Sequence, residues 1–336
     1  MRKETKLTAL SMLLALPAAA WIGSSFPVDG EKGRIRADVK DVQVSAEALA
    51  LEHAKAAQPA GPTKIGPTGS SLYGYMSYMD EEDFIPGFFE LDPKGSCTRL
   101  WDYPYAESWA NLINGWIRNG RLCGLCSVAL ASEEQPLLYA YQEFDMITGE
   151  VFSSRVIDIE DDLTPYFNSA AYNPTDGRIY GYGMVGPSSD FVYAFKSAPA
   201  DKPEETVVIK KLELPGDRCY SFCWSSSDNC FYGVNTWGKF VKLLPDGTTT
   251  ELFDLPISDL ANGKGALAVS PNDGYLLWNP AVYEAKSNLY AIYPSEKRME
   301  SLVQYPVDRQ FTFFISADDV SDSSAPAAPA VSASYE

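Results

Sequence analysis

Histidine is nearly missing from this chain of 336 residues: His53 is the only one. That scarcity excludes histidine-rich metal centres and makes any triad with a histidine base depend on one position. Cations are also few, with 27 Lys and Arg against 45 Asp and Glu, a formal charge of −18. Binding a polyanion needs clustered cations, so nucleic acid is excluded as a partner. No apolar run reaches the ~20 residues that span a bilayer, and membrane insertion is not expected. The phosphate loop Gly-x-x-x-x-Gly-Lys-Ser/Thr and the nucleophile elbow Gly-x-Ser-x-Gly are both absent. No cofactor is implied, and no catalytic constellation emerges.

Aromatic residues are plentiful: 16 Phe, 7 Trp and 20 Tyr supply a large core. The length would suit two average domains, but all-β domains of ~200–250 residues are routinely single. Residues 1–20 read as a secretory signal peptide. Arg2, Lys3 and Lys6 precede the apolar stretch Leu7 to Leu16, and Ala18 to Ala20 form a small-residue cleavage site. An uncleaved anchor is the alternative. The expected location is therefore secreted, periplasmic or at the cell surface. Residues 21–68 form a leader, in which 45–58 (SAEALALEHAKAAQ) favours a short helix with Ser45 as N-cap. His53 falls in that helix, outside the main domain. Residues 317–336 contain the Ser/Ala/Pro run Ser321 to Ser332, which reads as a linker. It is expected to lead to further C-terminal domains in a longer parent protein, a natural disordered tail being the other reading.

Between these ends a turn-and-strand signature recurs. Asp176-Gly177-Arg178-Ile179-Tyr180-Gly181 aligns without gaps to Asp228-Asn229-Cys230-Phe231-Tyr232-Gly233 and to Asn119-Gly120-Arg121-Leu122-Cys123-Gly124. Asn272 to Trp278 keeps the turn and the apolar pair, and Ser70 to Gly74 keeps the strand. The last position falls at 74, 124, 181, 233 and 278, intervals of 50, 57, 52 and 45 residues. Each Asp/Asn-Gly supplies the positive φ of a tight hairpin turn. Short strands precede three of the turns at 170–172, 222–224 and 266–269, and a second hairpin follows, as in Phe88 to Gly95 and Val241 to Gly247. Four strands in ~50 residues is the period of a propeller blade.

The pattern turn–(Leu/Ile)-Tyr-Gly followed by strand–Asp-x-x-x-Gly resembles the degenerate blades of secreted bacterial β-propellers, in which a Pro/Ala linker often leads into fibronectin-type-III-like modules. The resemblance covers residues 69–316 and implies an all-β fold of four-stranded blades. The chain departs from two better-marked relatives, having neither the Gly-His and Trp-Asp pairs of WD40 blades nor the sialidase Asp-box. Five markers imply five blades. Phe311 to Ile315 looks like a first strand with no hairpin after it, and joining it to the first repeat closes the ring and removes exposed edges. A sixth blade drawn from the leader is the alternative.

In such a ring the loops entering each blade share one rim with the loops between second and third strands. That rim carries the variable segments and, as candidate ligand-binding residues, Tyr78, Trp109, Tyr166, Arg218, Trp237, Lys264, Tyr283 and Arg309. Flat aromatic rings beside polar groups suit a glycan or the surface of an extracellular protein. Blade-to-blade packing is the alternative for each. Two acidic runs, at 80–83 and 158–162, lack the Asp-x-Asp-x-Asp-Gly spacing of a calcium loop and read as solvated charge; no metal site is assigned. Carboxylates paired on the rim or in the channel could instead serve glycoside hydrolysis.

Six cysteines complete the inventory. Cys123-Gly124-Leu125-Cys126 has a redox spacing, yet it lies in an expected strand, where i and i+3 face opposite sides. Cys219 or Cys223 could meet Cys230 across a hairpin, with buried free thiols as the alternative. Together these features describe an exported, non-catalytic binding module, with a propeller glycosidase or lyase and a structural spacer as its rivals.

Overall fold

Apolar and aromatic residues dominate the segments after each turn, and a strand enclosed by sheets on both faces needs that composition. In the computed structural model, β13 (Cys230–Asn235) is buried along its whole length. The polar segment β11 (Val207–Lys211) is mostly exposed. Burial therefore falls from the middle of each sheet towards its fourth strand. The structure describes residues 72–316 apart from 81–82, 92–96, 104–109, 129–137, 160, 258–259, 271–274, 283–286 and 306–310. The expected signal peptide, leader helix and C-terminal linker lie outside the described residues. No helix among the described residues is long and apolar enough to cross a membrane.

The strands form five four-stranded antiparallel sheets. In the first, β1 (Leu72–Asp80), β2 (Asp83–Leu91) and β3 (Cys97–Asp102) take the outer three places. The second is β4 (Ala110–Arg118), β5 (Arg121–Val128), β6 (Leu138–Phe144) and β7 (Val151–Ile157). The third joins β8 (Phe167–Asn173), β9 (Arg178–Val185) and β10 (Val192–Pro199) to β11, and the fourth joins β12 (Cys219–Ser225) and β13 to β14 (Lys239–Leu243) and β15 (Thr249–Asp254). The fifth is β16 (Leu260–Val269), β17 (Leu276–Val282), β18 (Ser287–Tyr293) and β19 (Arg298–Tyr305). Finally β20 (Phe313–Ser316) pairs with β1 and takes the inner place of the first sheet. The inner strands β4, β8, β12, β16 and β20 contact one another in a closed circuit. The chain is a five-bladed β-propeller.

Closure uses the segment expected from the sequence, and no sixth blade is needed. Each marker glycine or tryptophan falls on the second strand of its blade, and the turns take left-handed backbone at Asn119, Gly120, Gly177 and Asn229 (φ 53°, 75°, 70° and 48°). The marker glycine has a mechanical cause. Inner strands carry register shifts at Leu112/Asn114, Phe167/Ser169 and Cys219/Ser221, next to the residues paired with Gly124, Gly181 and Gly233. Such bulges press backbone onto the neighbouring strand. A Cβ on Gly181 would lie 2.0 Å from the Ser169 carbonyl oxygen.

The bulges also aim a polar side chain across three of the five seams. Asn114 Oδ1 accepts from Ala170 N (2.6 Å), Ser169 Oγ donates to Cys219 O (2.6 Å), and Ser221 Oγ donates to Gly265 O (2.8 Å). In the other two seams second-strand residues do the same: Asn279 Oδ1 accepts from Phe311 N (2.8 Å), and Tyr75 OH bonds Asn111 Oδ1 and Leu112 N. All five seams thus satisfy inner-edge backbone groups that burial would otherwise leave unpaired.

All six cysteines are free. The proposed pairing across the fourth blade does not form, because register sets Cys230 opposite Ser225, Cys223 opposite Tyr232 and Cys219 opposite Asn235. Cys123 and Cys126 occupy one strand but enter different core clusters, one towards the third blade and one towards the first. Their opposite facing excludes a local disulfide, and burial pushes the thiols up to about 12 and about 11.

Candidate functional site

The loops entering the blades and those joining second to third strands meet at one rim, here called the top. Its best-built part spans blades three to five. Asn235 closes the β13–β14 turn as an Asx cap, its Oδ1 accepting from Trp237 N and Lys239 N at 3.0 Å each. Gly238 completes the turn at φ 77°. The turn is tied to the loop entering β12, where Thr236 Oγ1 donates to Gly216 O (2.7 Å). Trp237 lies against Gly216, whose Cβ would come within 2.2 Å of the indole, and its Nε1 points to Asp217 (3.4 Å). One side of the indole is thus braced while the side chain as a whole stays 62% exposed.

The same entry loop delivers Arg218. Its guanidinium carbon sits 4.3 Å from the Tyr193 ring centroid and 5.1 Å from that of Tyr220, and its Nε donates to Tyr220 OH (3.0 Å). A further donor, Nη1, binds Pro215 O. Lys264 comes from the neighbouring blade. A bulge between Leu260 and Gly265 throws four residues out of register, and Gly265 turns the chain back at φ 133°. The ammonium thereby reaches over the Tyr220 ring, 5.1 Å from its centroid. Burial first and then the Arg218 charge pull Lys264 down to about 8. Two cations and two tyrosines therefore share one patch at the channel mouth.

Beneath this patch lies Lys196, with no exposed surface. Its Nζ donates to the carbonyls of Thr164 (2.7 Å), Tyr166 (2.6 Å) and Met184 (3.0 Å), using all three donors. It pins the loop entering β8, and with its donors committed it is not offered to a ligand. The central channel is narrow, with a cavity of about 60 Å³. A water needs roughly 10–15 Å³. Its lining among the described residues contains no aspartate or glutamate. No group of three or more metal-ligating side chains occurs among the described residues either. Asp162, from one acidic run, accepts from Thr164 N and Oγ1, which holds its carboxyl below the usual range.

The chain matches no protein-family model and no curated protein. Among solved structures it is similar to a periplasmic gluconolactonase of Pseudomonas aeruginosa, at 13% identity over 74% of this chain and 73% of that one, with a TM-score of 0.39. A Bacteroides thetaiotaomicron protein of unknown function gives 13% identity over 72% and 62%, with a TM-score of 0.41. A candidate 6-phosphogluconolactonase of Bacteroides uniformis gives 12% identity over 70% and 83%, also at 0.41.

Of the residues singled out from sequence, Arg218, Trp237 and Lys264 come from one side of the top rim, in blades four and five. Tyr166 is on the same rim but buried, its ring centroid 5.0 Å from that of Tyr139 in the seam between blades two and three. Tyr78 belongs to β1, opposite Ile85 of β2. Trp109, Tyr283 and Arg309 lie outside the described residues. Tyr193 and Tyr220 were missed. Tyr220 had a local signal, since it follows Arg218 by two where the extended chain runs into β12. Tyr193 had none, because its approach to Arg218 crosses from one blade to the next.

Proposed function

We propose that this chain is an exported, non-catalytic binding module that holds a glycan on the top rim, with Trp237 as its platform. The observation that carries the reading is the braced indole. A tryptophan 62% exposed would ordinarily cost solvation and mobility, yet here the turn, Gly216 and Asp217 fix it in one orientation. A rigid aromatic face stacks on a sugar ring with little entropy to lose. Export rests on the basic and apolar character of residues 1–20.

A glycan array followed by calorimetry tests this. Specific binding should appear in the native chain and fall about tenfold or more in Trp237→Ala, as expected when a stacking contact of ~1.5 kcal/mol is removed. Equal binding by native and variant proteins overturns the platform. Release of new reducing ends from the bound glycan would replace the reading with a hydrolase. Capture of extracellular proteins with silence on every glycan would replace it with a protein-recognition module.

A further inference from the structure

We propose that Arg218 and Lys264 form an oxyanion pocket at the channel mouth, which selects a glycan bearing a carboxylate or sulfate. This rests on the reading that the top rim binds a glycan, and it names the class of glycan.

The pocket stands out against the rest of the surface. Several cations elsewhere meet carboxylates: Arg118 with Asp201, Arg121 with Glu143, Lys239 with Glu251 and Arg298 with Glu296 and Glu300. With 45 acidic residues in the chain such pairing is the easy outcome. Arg218 and Lys264 have no ion pair among the described residues, and they approach each other across one tyrosine ring. Asp217, next in sequence to Arg218, is turned towards the Trp237 indole. Adjacent like charges in a partly buried site raise the free energy of the unliganded state, and an anion relieves that cost directly.

Donor accounting points the same way. Arg218 commits Nε and one Nη1 hydrogen to Tyr220 and Pro215, which fixes the guanidinium plane and leaves three of its five N–H groups. Lys264 donates no hydrogen bond among the described residues. A planar fork beside an ammonium is the donor set that carboxylate and sulfate take. The Tyr193 and Tyr220 rings form the floor, and the Trp237 platform sits on the β13–β14 turn that is tied to the loop delivering Arg218. An oxyanion carried on a sugar ring uses both parts, whereas a free inorganic anion would leave the aromatic surface idle.

Calorimetry with three oligosaccharide probes of matched length tests the pocket: oligogalacturonate, a sulfated galactan fragment and neutral oligogalactose. The native chain should bind an acidic probe at least about tenfold more tightly than the neutral one, the scale of one or two charge-assisted hydrogen bonds. Preference between the two acidic probes identifies carboxylate or sulfate as the ligand group. The double variant Arg218→Gln with Lys264→Gln should lose that preference and retain the neutral affinity, while Lys264→Arg should keep it. Equal affinity for acidic and neutral probes overturns the pocket and leaves glycan binding standing. If no oligosaccharide binds, melting in monomeric galacturonate against sodium chloride of equal ionic strength decides. A rise in Tm in the native chain, absent from the folded double variant, supports the pocket even though the glycan reading has failed. No rise overturns both.

Discussion

Two lysines of this rim show how the same side chain is put to opposite uses. Both are held low by desolvation, Lys196 to about 7 and Lys264 to about 8. Lys196 meets three carbonyl oxygens, so its ammonium is a structural clasp on the loop entering β8. Lys264 meets an aromatic ring and a second cation. Its charge is therefore available to a ligand and is lost as pH rises through about 8. Burial pushes Tyr193 and Tyr166 up, so they stay neutral. The sign follows. Affinity for an acidic saccharide should be greatest below pH 8 and weaken between pH 7 and 9, and Lys264→Arg should flatten that slope. Calorimetry at pH 6.5 and 9.0 checks it; identical slopes in both proteins would separate the pH response from Lys264.

At the scale of the element, the bulged inner strand explains both the sequence signature and the joints between blades. A bulge beside Gly124, Gly181 and Gly233 lifts Asn114, Ser169 and Ser221 across their seams, and at Gly181 the missing side chain makes room for the Ser169 carbonyl. Gly181→Ala should destabilise the fold by about 1–3 kcal/mol, the usual cost of overpacking. Urea unfolding would show it as a lower midpoint with unchanged slope, and an unmoved midpoint would mean that Ser169 can retreat. This device is why the blades were legible: turn, apolar pair and glycine are local requirements, and all three recur together in blades two to four. The fifth blade broke the pattern, with Trp278 at the glycine position, regularly paired with Leu267, and a larger bulge opposite Pro280 to Val282. The site was legible only in part. Arg218, Trp237 and Lys264 could be placed on the right rim from loop order, but which loops converge depends on neighbouring blades. Tyr193 was therefore invisible, and Tyr166, an equal candidate in sequence, turned out to be buried in a seam. The cysteine pairing failed for a related reason, since Cys223 stands two residues from Ser225, the position opposite Cys230.

The whole molecule depends on one short strand for its circularity. Without β20 the ring has a gap between β16 and β4, and β1 presents an open edge, the arrangement that invites intermolecular pairing. The strand also fills space that nothing else reaches. Phe313 stacks on Tyr75 with centroids 5.3 Å apart and lies over Gly115, where a Cβ would come within 2.5 Å of its ring. Phe314 packs against Phe311, which itself covers Gly74. Phe313 and Ile315 enter the cluster between blades one and two, whereas Phe314 enters the one between blades five and one. Two seams therefore rely on four residues. Replacing Phe313 with Asp buries an unpaired carboxylate in one of those seams, a change expected to cost more than about 3 kcal/mol. Ending the chain at residue 310 removes both seams at once. The truncated protein should show no cooperative thermal transition and should scatter light on warming, while Phe313→Asp should melt cooperatively at a lower temperature. A truncated chain melting at the native temperature would show that four blades and an open edge suffice. The top rim would then owe its geometry to blades three to five alone.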